Sequence, residues 1–287
     1  MKILITGSNG QLGRQLITEC KKRSIEYVGY DVPELDITNI KLVQSVVEKE
    51  SPDIIINCAA LTDVDGCERN AKLAFAVNAY GPKNLAEISK NKDILLVHLS
   101  TDYVFDGQGV FENGHKRPYV ESDCTNPKTV YGKSKKAGED FVVDNTSKYF
   151  IIRSAWLYGD GNNFVKTMLR LAENHPQLTV VSDQVGTPTS TVDLARAIIE
   201  LIQTNAYGIY HGTCEGQCSW YDFAVAIFQK SGVKIDVKPV SSEEYASPTP
   251  RPHYSVLRNK GLEDLKINVF RPWEEALSEY LKWLKEN

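Results

Sequence analysis

Lys2-Ile3-Leu4-Ile5-Thr6-Gly7-Ser8-Asn9-Gly10-Gln11-Leu12-Gly13 is a β-forming run that breaks into three glycines at three-residue intervals. After it, Leu16, Ile17 and Cys20 recur at helical spacing. The pattern reads as strand, glycine turn, helix. Such a turn must reverse tightly, let backbone approach a pyrophosphate with no Cβ in the way, and seat the helix against its strand. Gly7, Gly10 and Gly13 therefore predict a dinucleotide site with the phosphates at the helix N-terminus. An ordinary tight turn is the alternative, and the regular spacing of the three glycines favours the dinucleotide. Tyr27-Val28-Gly29-Tyr30-Asp31 ends in a carboxylate about 20 residues past the loop, where an acid bonds the adenosine ribose hydroxyls. Asp31 favours NADH, while Arg14 could meet the 2′-phosphate of NADPH, so both cofactors remain open.

Outward from this loop, strands and helices alternate. Residues 53–57 and 94–100 are continuous apolar runs of the kind buried on both faces of a parallel sheet, and 149–153 forms a further strand. Asp36 or Thr38 caps a helix running to about residue 50. A helical stretch covers 70–91, and 111–127 is a polar loop. Asp63-Val64-Asp65-Gly66 has the wrong spacing for a calcium loop and reads as helix capping.

Past residue 154 the alternation loosens. Helices are expected over 163–174, 191–204, 219–230 and 272–286, a strand over 178–181, a short β run within 208–216 and a proline-rich loop over 241–252. The expected fold is α/β: a Rossmann-type doubly wound parallel sheet with a smaller mixed α/β substrate lobe. Residues 1–153 form the dinucleotide-binding domain, joined by the strand and helix of 178–205. Residues 154–177 and 206–287 form the substrate-binding lobe.

The chemistry points to Tyr131-Gly132-Lys133-Ser134-Lys135. On a helix this spacing puts a phenol and an amine one turn apart on one face. A nearby cation favours the phenolate, lowering a tyrosine from about 10 and making it a usable acid near neutrality. Among 14 tyrosines, Tyr131 alone has a lysine four positions on. Ser100 and Thr101 stand at the carboxyl end of the 94–100 strand, where open α/β folds bind ligands, a capped strand end being the alternative, and Cys58-Ala59-Ala60-Leu61-Thr62 leaves room for a ligand at the end of its own strand. Arg251 has the planar fork that grips a diphosphate bidentately, a surface ion pair being the alternative.

A net charge of −4 argues against a nucleic-acid surface. No apolar run approaches the ~18 residues of a membrane span and no signal-peptide pattern is present, so the expected setting is cytoplasmic, with no membrane partner. Six scattered cysteines read as reduced thiols, and the five histidines as isolated singles offering no metal site.

The chain resembles the extended short-chain dehydrogenase/reductase superfamily, and within it the dTDP-4-dehydrorhamnose reductases. The resemblance rests on Ser100-Thr101-Asp102-Tyr103-Val104-Phe105, Tyr131 with Lys135, Gly138-Glu139, Trp156-Leu157-Tyr158-Gly159, Asn162-Asn163-Phe164, Asp183-Gln184 with Gly186, Pro188 and Thr189, and Arg251-Pro252 with Ser255 and Leu257. It implies reduction of the C4 ketone of a dTDP-linked 4-dehydro-6-deoxy sugar by NADH or NADPH, the last step in making dTDP-L-rhamnose. Tyr131 would donate the proton, Lys135 would tune it and hold the nicotinamide ribose, and Thr101 would bind the ketone oxygen. Cofactor contacts would fall on Gly10, Gln11, Leu12, Asp31, Asp36, Ile37, Ala60, Leu61 and Thr62, and sugar contacts on Thr101, Asp102 and Trp156. Some relatives bridge subunits with a divalent metal held by glutamates. Gln15 and Thr191 stand at two such positions, so the resemblance implies a monomer or homodimer without that metal. The alternatives are a nucleotide-sugar reductase of opposite facial selectivity and a non-catalytic regulatory subunit of the same fold.

Overall fold

Successive residues of the buried strands point to opposite faces, and both faces are apolar, so both must be covered. The computed structural model describes residues 1–287. Its central sheet has six parallel strands: β1 (Lys2–Thr6), β2 (Glu26–Tyr30), β3 (Ile54–Asn57), β4 (Leu95–Thr101), β5 (Tyr149–Ser154) and β6 (Gly208–His211). Their spatial order is β6-β5-β4-β3-β1-β2. The helices that cover it are α1 (Gln11–Lys22), α2 (Ile40–Glu50), α3 (Gly81–Lys92), α4 (Val130–Asn145) and α5 (Thr191–Leu201).

Ile3, Ile5, Ile54, Ile56, Val97 and Phe150 pack on one face against Leu12 and Leu16 of α1 and Leu194 and Ile198 of α5. Their neighbours Leu4, Ile55, Leu96 and Ile151 pack on the other, against Val43 and Val47 of α2, Leu85 of α3 and Val142 of α4. This is the expected doubly wound α/β sheet. No helix is long and apolar enough to cross a membrane.

Two strands depart from the expected division. Residues 208–211, expected in the substrate lobe, form β6 beside β5, with Ile209 level with Ile151. Residues 177–181, expected to join the dinucleotide-binding domain, pair instead with Asp236–Val240. Gln177 and Thr179 are exposed between buried Leu178 and Val180, which suits a half-covered strand rather than a central one. The helix of that segment, α5, does lie against α1.

The expected 70–91 helix is interrupted. Val64–Arg69 and Ala71–Phe75 are separate helices and Ala76–Tyr80 is a π-turn before α3. Asn70 caps the second piece, accepting from the N–H of Leu73. The 111–127 loop holds a hairpin, Val110–Glu112 against His115–Arg117, turned by Asn113 and Gly114 at φ 50° and 81°. Positive φ at both positions is what an Asn-Gly two-residue turn supplies. The α2 cap is Asn39, neither Asp36 nor Thr38, because the Asp36 carboxylate is taken by the N–H and hydroxyl of Thr38. Ser242–Tyr245 forms a short capped helix inside the 241–252 loop.

The π-turn bears directly on α4. A Cβ on Gly138 would collide with the carbonyl oxygen of Asn78, so the two elements approach as closely as a glycine permits. Gly138→Ala is expected to lower unfolding free energy by about 1–3 kcal/mol in urea titrations. A stability within 0.5 kcal/mol of the parent would show that α4 does not depend on this approach.

Candidate functional site

Helix α4 begins where Thr129 accepts the N–H of Gly132, next to the turn Asp102–Val104 that follows β4. Gly132 lies so close to the Tyr103 carbonyl that no side chain would fit there. Farther along, Glu139 accepts from Ser100 Oγ at 2.5 Å and from Arg153 Nε and Nη2 at 2.9 and 2.7 Å. These side chains of Arg153 and Glu139 are 3% and 1% exposed. A bidentate buried pair therefore ties α4 to β4 and β5 and sets the height of Tyr131 and Lys135 above the strand ends.

A cavity of about 550 Å³ opens over those ends. It brings together Thr101, Asp102, Tyr131, Lys135 and Trp156 with Gly10, Gln11, Leu12 and Gly13 of the glycine loop and with Ala60 and Thr62. Gly7, Asp31, Asp36, Ile37 and Leu61 do not line it. Gly7 has φ 65°, and a Cβ there would stand 2.6 Å from Ala59 N. A Cβ on Gly13 would strike the Gly7 carbonyl. The loop thus offers bare backbone and a helix N-terminus, the form a pyrophosphate needs, and Asp31 accepts the N–H of Asn9 at 2.9 Å at its rim. Arg14 donates to the Asn9 carbonyl and to Asp160. Ile37 is buried in the core and Leu61 is pinned by both ends of the Asn78 amide. The residues fit a dinucleotide.

The electrostatics differ from the expectation. Burial pushes the Tyr131 phenol well above its usual range. The Thr101 hydroxyl works against that shift, and the Asp102 carboxylate adds to it. The Lys135 amine donates to the Leu99 carbonyl at 2.5 Å. The raised phenol runs against the acidification expected from the Lys135 cation, because burial dominates it. Lys135 itself is lowered to about 8, chiefly by burial.

Asp102 is 4% exposed, accepts from Thr101 Oγ1 at 2.9 Å, and leaves Oδ2 without a partner. Burial raises it to about 6, against the smaller opposing effect of the Ser255 and Thr101 hydroxyls. Arg251 lies in an adjoining cavity of about 560 Å³ that shares Thr62, Tyr103, Trp156 and Trp220 with the first. It pairs with Asp65 at 2.9 Å, leaving Arg251 Nη1 and Asp65 Oδ1 unpartnered. Trp156 sits at φ 47°, stacked on Trp220 at 3.5 Å, with Gly186 leaving room for its ring.

Sequence reasoning missed Glu139, Arg153, Trp220 and Asp65 as parts of the site, and treated His98 as an isolated single. Glu139 was within reach, since it stands four residues after Lys135 and so one helical turn along. His98 lies against Asn57 and Lys135, and only the fold brings these three together.

Residues 1–286 match the family described as the RmlD substrate binding domain. The chain is 50% identical to a crystallised dTDP-4-dehydrorhamnose reductase from Clostridium acetobutylicum, with a TM-score of 0.95 over 99% of this chain and all of that one. It is 43% identical to the dTDP-4-dehydrorhamnose reductase of Bacillus anthracis solved in complex with NADP, TM-score 0.93, covering 98% and 99% of the two chains. It is 44% identical to the spore coat polysaccharide biosynthesis protein SpsK of Bacillus subtilis, covering 98% and 97%.

Asp102 gives a prediction whose sign is fixed. Its carboxyl binds a proton more tightly folded, at about 6, than unfolded, at 3.8, so its stabilising contribution is full below the lower value and lost as pH rises through the upper. Asp102→Asn removes that loss. The stability of the variant relative to its parent should rise by about 1–3 kcal/mol between pH 4 and pH 7 in urea titrations. A difference flat across that window would contradict a buried, ionisable carboxyl.

Proposed function

The chain belongs to the family of the RmlD substrate binding domain, and from that premise we propose that it reduces the C4 ketone of dTDP-4-dehydro-6-deoxy-L-mannose, giving dTDP-L-rhamnose. It is an NADPH- or NADH-dependent oxidoreductase of nucleotide-sugar biosynthesis. The observation that carries this reading is one cavity in which the Thr101 and Tyr131 hydroxyls and the Lys135 amine share walls with the glycine loop.

When bound, the reduced dinucleotide supplies the hydride that reaches the ketone carbon. The backbone of residues 10–13 would hold its pyrophosphate, and Asp31 the adenosine ribose. Ala60, Leu61 and Thr62, together with Asp36 and Ile37, would border the rest. We assign Lys135 to the nicotinamide ribose hydroxyls and Thr101 Oγ1 to a hydrogen bond with the ketone oxygen. Tyr131 would be the proton donor. Its phenol keeps its proton throughout the physiological range, yet it is a stronger acid than the product alcohol, so it can quench charge developing on that oxygen. Asp102 and Trp156 would face the sugar, and Arg251 would exchange Asp65 for the diphosphate.

The inferred setting is cytoplasmic, in keeping with six unpaired cysteines. The assembly we infer is a monomer or homodimer without a bridging metal. Gln15 and Thr191 offer an amide and a hydroxyl, while the nearby Asp160 and Glu279 are engaged by Arg14 and Arg271.

Purified protein should oxidise NADPH or NADH when given dTDP-4-dehydro-6-deoxy-L-mannose, and NMR of the product should show the rhamno configuration at C4. The opposite configuration would instead identify the rival reductase, and no turnover with any nucleotide keto-sugar would identify a regulatory subunit. Tyr131→Phe should lower kcat by about 10²–10⁴ while cofactor Kd stays within a few-fold, and undiminished turnover would remove the proposed acid. Treatment with EDTA should leave both sedimentation and turnover unchanged. A fall in either would restore a structural metal.

A further inference from the structure

Behind Lys135 runs a chain of buried hydrogen bonds whose polarity can be read atom by atom. Asn57 ends β3 and is 1% exposed. Its Oδ1 accepts from the backbone N–H of Ala59 at 3.2 Å and from Thr6 Oγ1 at 2.7 Å. A backbone N–H can only donate, so the amide oxygen must lie on that side, and the amide nitrogen faces His98 Nδ1 at 3.0 Å. That nitrogen is a donor, so Nδ1 accepts and carries no proton. Burial and the neighbouring Lys135 keep the imidazole neutral. Its one ring proton is therefore on Nε2, which lies 3.5 Å from Lys135 Nζ.

We propose that His98 is a positioning residue for Lys135: held by Asn57 as the Nε2–H tautomer, it turns a donor toward the amine and favours the amine's uncharged form. Two donors facing each other in a buried site leave one unsatisfied. An uncharged amine resolves this by accepting from Nε2–H while still donating to the Leu99 carbonyl. The amine has the Leu99 carbonyl as its acceptor and His98 Nε2 as its other partner. Glu139, one turn along α4, strengthens the amine's hold on its proton, but its oxygens are engaged by Arg153 and Ser100. Cys58, beyond β3, acts in the same direction, yet burial raises its thiol to about 12 and keeps it protonated. Tyr131, on the same helix, also keeps its proton. Burial already lowers Lys135 to about 8, and the Nε2–H donor adds to it in the same direction.

The proposal deepens the reading of the site given above, in which Lys135 serves the cofactor, and its first two tests do not depend on that reading. In the full chain without ligand, long-range ¹H–¹⁵N NMR should show His98 as the neutral Nε2–H tautomer from pH 6 to pH 9. The Nδ1–H tautomer, or an imidazolium, would overturn the proposal. Asn57→Asp keeps an acceptor for Thr6 and Ala59 but now needs a donor from Nδ1. The ring proton moves there, and Nε2 becomes an acceptor for the ammonium. Followed by its ¹³Cε resonance, Lys135 should then titrate about one pH unit or more higher than in the parent. His98→Asn, which keeps a partner for Asn57 and removes Nε2–H, should move it the same way. The alkaline limb of kcat/KM should follow both variants, whereas simple loosening of the core would lower activity without moving that limb. A titration unmoved in both variants overturns the proposal. Absence of turnover, with tautomer and titration as expected, would remove the reductase reading and leave the role of His98 standing.

Discussion

The buried pair between Arg153 and Glu139 is the constraint to which the rest of the site answers. Both side chains are nearly inaccessible and meet through two parallel hydrogen bonds, with the Ser100 hydroxyl on the same carboxylate. Such a pair adds little net stability compared with apolar packing, but losing one partner strands a charge at a cost of about 3–5 kcal/mol. Its effect is on register. Helix α4 cannot slide along β4 and β5 without breaking it, so the Tyr131 phenol and Lys135 amine keep their place over the strand ends. Two glycines complete the fit. Gly132 allows the helix to begin against the Tyr103 carbonyl, and Gly138 lets it pass the Asn78 carbonyl.

The opposite wall is set by aromatic packing. Trp156 has a left-handed backbone conformation rarely taken by a bulky residue, and it is sustained by the Trp220 ring stacked on it and by the missing side chain at Gly186. The indole pair separates the cavity that holds the proposed proton donor from the one that holds Arg251. One face of the protein thereby presents a largely apolar compartment that carries the Thr101 and Tyr131 side chains next to a second compartment with a cation. A sugar joined to a nucleoside diphosphate has that same division.

Much of this was visible in the chain itself, for reasons that can be named. The glycine loop, the apolar runs at β3 and β4 and the four-residue interval between Tyr131 and Lys135 are local patterns, and local patterns survive in sequence. The hairpin at Asn113-Gly114 is equally local, but its polar flanks give no strand alternation to mark it. Strand β6 is too short, at Gly208–His211, to declare its partner. The π-turn at Ala76–Tyr80 depends on how Asn78 grips Leu61 and Ser134. The direction of the Lys135 amine was illegible for the same reason. It is decided by Leu99 and His98, 36 and 37 residues away, so spacing along the helix showed proximity to the phenol but not where the proton would be drawn.

The pair between Asp65 and Arg251 joins segments 186 residues apart within the wall of the second cavity. With side chains 28% and 23% accessible, it is worth no more than about 1 kcal/mol. A clasp that weak yields readily to a competing anion. The guanidinium can therefore be handed from Asp65 to another anion without any helix unwinding, and raising ionic strength loosens its hold on Asp65 further.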